Sequence, residues 1–511
     1  MKKKLTAIIC TVVAALTCFC AVIGFSACKK DGGSVTLLEE NIIDDNYDNY
    51  YEIFVYSYCD SDGDGYGDLN GITQKLDYIR DMGYTGIWLM PIMPAASYHG
   101  YDVTDYYSVN KKYGTLQDYS NLITAAHEKG IKVIIDLVVN HTSSQHPWFT
   151  SAVNYKNGNG GNGAYADWYN FSETQLPKYY KNGNIWYEGQ FDYGMPDLNL
   201  SNEAVRAEID KIIKFWLEKG TDGFRLDGCL YYCDGREASV EVCKFIKDTA
   251  SKYNKDAYIV GEAWEGKSTI EQFYESGADS FFYFPAAGKG DIVSAVNANS
   301  ALYAYRAMNN CAKAAGDYIP APFLSNHDNG VARIMGRMAR NEEKAKFAYG
   351  LLSMFSGNTF TYYGDEIGMI AQNPASDPDL RVGMLWDNKQ TNMTTLPTGA
   401  GSQYIYDGVA EQLKDKNSIL NYYKLCNNAR NAFPAIMRGS TERTVLEDSE
   451  VLYITKTYKE QSLKIVINLG AERKKVEDIQ GTLAQTICVT GGVKMSGTTL
   501  SMPRYSIAIL T

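Results

Sequence analysis

The chain has no long block of basic residues, its longest basic runs being the three-residue Lys2–Lys4 and Arg473–Lys475, and its 60 acids against 49 bases leave a net charge of -11. Proteins that hold nucleic acid or a broad anionic membrane surface do so with clustered Lys and Arg, so neither is expected as a partner. A cysteine framework is missing too. Cys10, Cys18 and Cys20 fall in an apolar leader, the others follow no regular spacing, and Cys229 and Cys233 have no second pair to complete a metal site. Free structural thiols are the expectation, as would suit an anoxic habitat. No internal repeat is apparent. Tyrosine, by contrast, is abundant, 40 residues against 18 Phe. Its ring has an apolar face and a polar tip, which suits surfaces that stack on ring-shaped polar ligands such as sugars.

The N-terminus reads MKKK and then runs apolar through Phe25, the n-region and h-region of an export signal. The following FSAC, with Ala27 before Cys28, resembles a bacterial lipobox, in which the cysteine is lipidated and becomes the new N-terminus. Phe25 stands where Leu is usual. The expected division is a signal peptide over 1–27 and a polar, glycine-containing tether over 28–49. The protein is then exported and held on the outer side of the cell membrane by lipid, or secreted if the lipobox reading fails.

Short apolar stretches recur between helical patterns: EIFVYS near 52, GIWLM at 86, KVIIDLVV at 132, GFRLD at 223, AYIVG at 257, SFFYF at 280, APFLSN at 321 and TFTYYG at 359. Strands alternating with patterns such as EAVRAEIDKIIKFWLEKG imply parallel β/α units, and eight of them close a (β/α)8 TIM barrel of the α/β class. Roughly ninety residues separate the third and fourth strands, too many for a structureless loop, so this stretch is expected to hold an inserted domain. After about 430 the pattern turns to strands alone, such as VLYITKTY and LKIVINLG, as a C-terminal β-sandwich would. The boundaries are barrel over 50–140, insert over 141–200, barrel again over 201–430 and sandwich over 431–511.

Polar residues gather just past the strand ends, where barrel enzymes build their sites. They are Asp136, Asn140 and His141 after the third strand, Arg225 and Asp227 at the fourth, Glu262 at the fifth, and His327 and Asp328 at the seventh. A lone buried acid is usually a satisfied structural group. Acids, histidines and an arginine at successive strand ends of one barrel are a constellation. A second cluster is DSDGDGYGDLNG at 60–71. Asp60, Asp62, Asp64 and Asp68 take the first, third, fifth and ninth positions of a calcium loop, with Gly65 at the turn. The twelfth position is Gly71 instead of Glu, and the stretch upstream, YYEIFVYSY, alternates like a strand rather than a helix.

These motifs resemble the α-amylase family of glycoside hydrolases, from about residue 52 to the end. GIWLMPI, SYHGYDVTDYY, MPDLN, YYGDEIGM and the final PRYSIAIL fall in the family's order. MPDLN is similar to the branch between oligo-1,6-glucosidases and neopullulanases, which includes secreted lipoprotein α-amylases. The resemblance implies Asp227 as nucleophile, Glu262 as general acid/base and Asp328 as stabiliser of the distorted sugar. A retaining glycosidase needs one ionised and one protonated carboxyl about 5 Å apart. Arg225 would keep Asp227 ionised, and Glu262, beside Ala263 and Trp264, would stay protonated near neutral pH. Substrate contacts are implied for Tyr98, His99, Tyr101, Asp102, His141, Arg225 and His327, with Tyr101 stacking on the sugar. The loop at 60–71 resembles a family loop that binds one structural calcium, here through Asp60, Asp62, Asp64, Asp68 and the Tyr66 carbonyl.

Two departures matter. A Lys-His pair that many α-amylases place after the nucleophile is Leu230 and Tyr231 here, which puts a second calcium between barrel and insert in doubt although Asn140 is present. Gly228, directly after Asp227, suits α-1,4 better than strict α-1,6 cleavage. The implied function is hydrolysis of internal α-1,4-glucosidic bonds of starch and maltooligosaccharides by a lipid-anchored monomer. The alternatives are a 4-α-glucanotransferase or a cyclomaltodextrinase or neopullulanase using the same intermediate, and a non-enzymatic starch-binding or transporter-associated relative. The complete set of Asp227, Glu262 and Asp328 speaks against the last.

Overall fold

The computed structural model describes residues 36–402 and 404–511. The expected signal peptide and Cys28 lie outside the described residues. Seven parallel strands form one sheet in the order β10-β1-β2-β3-β7-β8-β9. They are β1 (Asn49–Ile53), β2 (Gly86–Leu89), β3 (Lys132–Leu137), β7 (Gly223–Leu226), β8 (Tyr258–Gly261), β9 (Ser280–Phe281) and β10 (Thr359–Tyr362). The stretch around 321 closes the ring through parallel bridges Phe282↔Ala321 and Phe323↔Phe360. Its ladder is sparse for a chemical reason: Pro320 and Pro322 have no N–H to give. They contribute only carbonyls, accepting from Asn358 N at 2.8 Å and Phe360 N at 3.3 Å. All eight strands read from the sequence thus take part in a (β/α)8 barrel.

The barrel interior is filled by Tyr50, Trp88, Ile134, Tyr258, Val260, Phe282, Phe323 and Phe360. Tyr50 stacks between Phe360 at 4.8 Å and Tyr258 at 5.3 Å. Outside, the helices present apolar stripes to the sheet. In Glu203–Glu218 the buried positions are Val205, Ile209, Ile212, Ile213 and Trp216, a three-to-four spacing, and Asn202 caps the start by accepting from Ala204 N.

One expectation changes. YYEIFVYSY is not a single alternating strand: β1 ends at Ile53, and Val55–Tyr58 is a short helical turn. Every residue from Asn49 to Ile53 is buried, because a parallel barrel strand is covered on both faces and has no solvent side to alternate towards.

Between β3 and the helix before β7 the chain forms a helix, Pro147–Lys156, and a three-stranded antiparallel sheet of β4 (Phe171–Ser172), β5 (Tyr179–Asn182) and β6 (Ile185–Glu188). Its entry and exit are joined by the antiparallel bridge His141↔Asp197. At the C-terminus, β11 (Ser440–Thr444), β12 (Val451–Tyr458), β13 (Gln461–Asn468), β15 (Leu483–Cys488) and β18 (Ser506–Leu510) make one antiparallel sheet. A second sheet contains β14 (Lys474–Val476), β16 (Lys494–Ser496) and β17 (Thr499–Met502). Val451, Val466, Val476, Leu500, Met502 and Leu510 share an apolar core, as in a β-sandwich.

The stretch expected as a tether is fastened where it is described. Leu38 exchanges two backbone bonds with the Asn428 amide, at 2.7 and 2.9 Å, and Asp45 pairs with Arg438. All seven cysteines among the described residues are free thiols.

Candidate active site

The register of β3 on β7 sets Asp136 beside Arg225. Arg225 is buried, and one guanidinium gathers the acids of three strand ends. Its Nη1 donates to Asp136 at 2.5 Å and Asp227 at 2.6 Å, and its Nη2 to Glu262 at 2.8 Å. Glu262 also accepts from the Gly228 N–H at 2.8 Å, so the residue after Asp227 orients Glu262 through its backbone.

Burial pushes Glu262 up to about 8, aided by the charges of Asp227 and Asp328 and opposed by Arg225. Glu262 therefore carries a proton at neutral pH. The cause is general burial rather than a Trp264 wall, since Trp264 stacks on Phe284 at 4.7 Å and is 41% exposed. Burial also lifts Asp136 to about 7 against the pull of Arg225, while Asp136 accepts from Trp88 Nε1 at 2.9 Å. Asp328 is half-buried at the fourth corner, raised by burial, with its backbone N–H on Asn326 and His327 Nε2 3.5 Å away.

Tyr101 stacks against His327 at 5.5 Å and His99 at 6.1 Å, and its hydroxyl lies 2.8 Å from His327 Nε2. His99 Nδ1 accepts from the Tyr101 N–H at 3.1 Å, so its proton sits on Nε2, available to a ligand. His141 differs from expectation. Its Nε2 faces the Tyr101 carbonyl at 3.0 Å and can only donate there, so its proton is already used. Asp102 differs as well, because its carboxylate accepts from Ser97 N at 3.0 Å and from Ser97 Oγ, closing a turn. Tyr98 donates to Asp377, which pairs with Arg381 at 2.6 Å.

Sequence reasoning missed Glu52 and Arg381. Glu52 lies on β1, 1% exposed, with its carboxyl 2.6 Å from His327 Nδ1. Burial drives Glu52 well above and His327 well below their usual ranges, so both are neutral and share a hydrogen bond rather than a salt bridge. A glutamate inside EIFVYS has no local signal of its own.

Gly228 has φ +54, and a Cβ there would meet Phe191 Cζ at 2.8 Å. Phe191 in turn meets Tyr231 edge to face at 5.3 Å, both rings partly exposed. Beyond Tyr231 a cavity of about 740 Å³ opens between the insert and the 230–238 loop, lined by Tyr179, Glu188, Asp197 and Asp234. None of the three strand-end acids lines it. At its edge the buried Asn140 Oδ1 has no hydrogen-bond partner, while Asn140 Nδ2 donates to Asp197 at 3.3 Å.

The loop at 60–71 brings oxygens of Asp60, Asp62 and Asp68 within 4.8 Å of one another. Asp64 stays outside this group, exposed and accepting from Tyr66 N. Gly65 makes the turn at φ +93. Backbone donors already face the acids: Gly63 N and Gly65 N meet Asp60, and Gly71 N meets Asp68, which caps the helix Leu69–Gln74.

Residues 52–439 match the family model described as Alpha amylase, catalytic domain. The chain belongs to the α-amylase family. It is 38% identical over 435 residues to Alpha-amylase 3 of Dictyoglomus thermophilum, covering 82% of this chain and 84% of that protein. A 4-alpha-glucanotransferase of Thermotoga maritima is 29% identical, covering 84% of this chain and 97% of its own. Among solved structures, Eubacterium rectale Amy13B superposes with a TM-score of 0.86 at 38% identity, over 92% of this chain and 96% of that one. The α-amylase from H. orenii gives 0.79 at 34%, over 91% and 99%.

Proposed function

We propose that this member of the α-amylase family cleaves internal α-1,4-glucosidic bonds of starch and maltooligosaccharides with retention at the anomeric carbon. The observation that carries the reading is the single Arg225 guanidinium bonded to both Asp227 and a Glu262 whose proton is held to about pH 8. One cation bridging two carboxyls fits the short separation of retaining enzymes, about 5 Å. Glu262 gives its proton to the glycosidic oxygen as that bond breaks, and an Asp227 oxygen bonds to the anomeric carbon. Glu262, now ionised, takes a proton from water as the water oxygen displaces Asp227. Asp328 and His99 Nε2 hold sugar hydroxyls, and Tyr101 stacks on the ring.

A second reading, transfer of the glycosyl group to a sugar hydroxyl, is supported by the exposed Phe191–Tyr231 pair, an aromatic surface next to Gly228 on which an acceptor could stack. Product analysis on amylose, maltotriose, cyclodextrin and pullulan separates the readings. Growth of maltotriose into longer chains would favour transfer, and cleavage of pullulan alone would overturn α-1,4 specificity on starch.

The oxygen-rich loop at 60–71 suits a hard cation, and Asp60, Asp62 and Asp68 would hold one calcium, completed by Asp64 and the Tyr66 carbonyl. When bound, the ion supplies structural stability away from the scissile bond. The protein is further proposed to act as a monomer on the outer side of the cell membrane, anchored by lipid on Cys28.

A further inference from the structure

The chain enters the barrel through an arm, residues 36–48, stitched to one end of it. Glu40 pairs with Arg80 at 2.5 Å and accepts from Asn431 Nδ2 at 3.0 Å, and Asn41 N donates to the Asn431 carbonyl at 2.9 Å. Asp45 takes two parallel bonds from Arg438, at 2.6 and 2.9 Å, and its carbonyl accepts from Lys132 Nζ. A bidentate Arg–carboxylate pair fixes direction as well as distance.

All these partners lie at the same end. Lys132 opens β3, Arg80 sits in the last turn of the helix leading to β2, and Asn428 and Asn431 sit in the last turn of Ile419–Ala432. That is the end where strands begin. Asp227 and Glu262 follow the far ends of β7 and β8.

Resting on the membrane-anchor reading above, we infer that the arm makes the base of the barrel the face turned to a phospholipid bilayer, with the catalytic cleft directed away from it. Residues 28–35 reach at most about 28 Å when fully extended. The barrel is about 24 Å deep along Glu203–Glu218, before the insert is added. A tether of that reach, starting at the base, is used up in climbing the barrel wall, so the cleft cannot turn to the lipid. Were residues 36–48 released, they would add about 45 Å, and the body could tumble. A polymeric glucan too large to slide beneath the protein could then approach the cleft from solution.

The test uses the full-length protein in phospholipid vesicles carrying an acceptor dye on their headgroups. A donor dye is placed through azidophenylalanine at Lys255, exposed in the loop before β8, or at Tyr193, exposed on the insert. Energy transfer should be several-fold stronger from position 255. In the variant Glu40→Ala with Asp45→Ala, which touches no site residue and should hydrolyse soluble starch normally, the contrast should fall at least twofold. Equal transfer from both positions in the wild type, or an undiminished contrast in the variant, overturns the inference while leaving the anchor intact. Failure of the protein to float with the vesicles overturns the anchor reading and takes this orientation with it.

Discussion

Replacing Glu262 with Gln tests the proton at the centre of the proposed chemistry. Glu262 ordinarily titrates at 4.5 and is pushed up to about 8 in the fold by burial. Between those values the folded protein holds a proton that the unfolded chain has lost, so this group's contribution to stability is present below pH 4.5 and is lost as pH rises towards 8. One unit is about 1.4 kcal/mol, giving an upper bound of about 5 kcal/mol across the window. Gln is neutral at every pH, and its oxygen can still accept from Gly228 N. Calorimetric melting of both proteins from pH 5 to pH 9 should show near-equal midpoints at pH 5 and a more stable variant at pH 8, by a few degrees. The wild-type rate should also decline above about pH 8 as the acid loses its proton, and the variant should lose several orders of magnitude in rate. A midpoint difference that stays constant from pH 5 to pH 9, or a wild-type rate still rising at pH 9, would refute the argument.

Asp227→Asn should lower starch hydrolysis by several orders of magnitude with the circular dichroism spectrum unchanged; activity above about a tenth of wild type sinks the nucleophile assignment. Calcium at about 100 times its dissociation constant should stabilise by roughly 2.7 kcal/mol, so chelation should lower the melting temperature, and Asp62→Ala with Asp64→Ala should abolish that shift while sparing activity at low temperature. Cys28→Ala should release the protein from membranes or block its maturation; absence of radioactive fatty acid on a wild-type protein that still fractionates with membrane would point to an uncleaved anchor. Glu52→Gln should leave stability nearly unchanged near neutral pH, because the native group is already uncharged, whereas Glu52→Ala should cost about 1–3 kcal/mol by stranding His327 Nδ1, as read by urea unfolding.

The barrel was legible because its strands are apolar runs buried on both faces, and burial of that kind needs no partner information to be recognised. Even the APFLSN strand, whose prolines leave it only isolated bridges, shows in the alternation of strand and helix. The strand-end acids were legible for a related reason: a charge at the end of an apolar run stands out. What could not be read was partnership. His141 looks as available as His99 in sequence, yet one donates its proton to the Tyr101 carbonyl and the other keeps Nε2 free. Asp102 sits in SYHGYDV beside residues that line the site, and only its bonds to Ser97 reveal a turn-closing role. Tether composition in KKDGGS says nothing of Asp45 meeting Arg438, a contact between residues far apart in the chain.

Protonation is the part least accessible from sequence, and it follows from a count of charges in space. Glu52, Asp136, Asp227, Glu262 and Asp328 surround a site whose nearby cations are Arg225 and Arg381, and Arg381 is already paired with Asp377. With histidines 141 and 327 held neutral by burial, the cavity holds more carboxyls than positive charges. Ionising all of them in a desolvated space is unfavourable, so some of these acids must keep their protons. Arg225 shares its Nη1 between Asp136 and Asp227 and gives its Nη2 to Glu262, so one guanidinium is divided among three buried acids. Burial is the main reason Glu262 keeps its proton at neutral pH, and the surplus of acids, which looks wasteful in a list of residues, adds to it. Removing Asp136, which touches no substrate atom in the proposed mechanism, should therefore lower the pH at which Glu262 loses its proton.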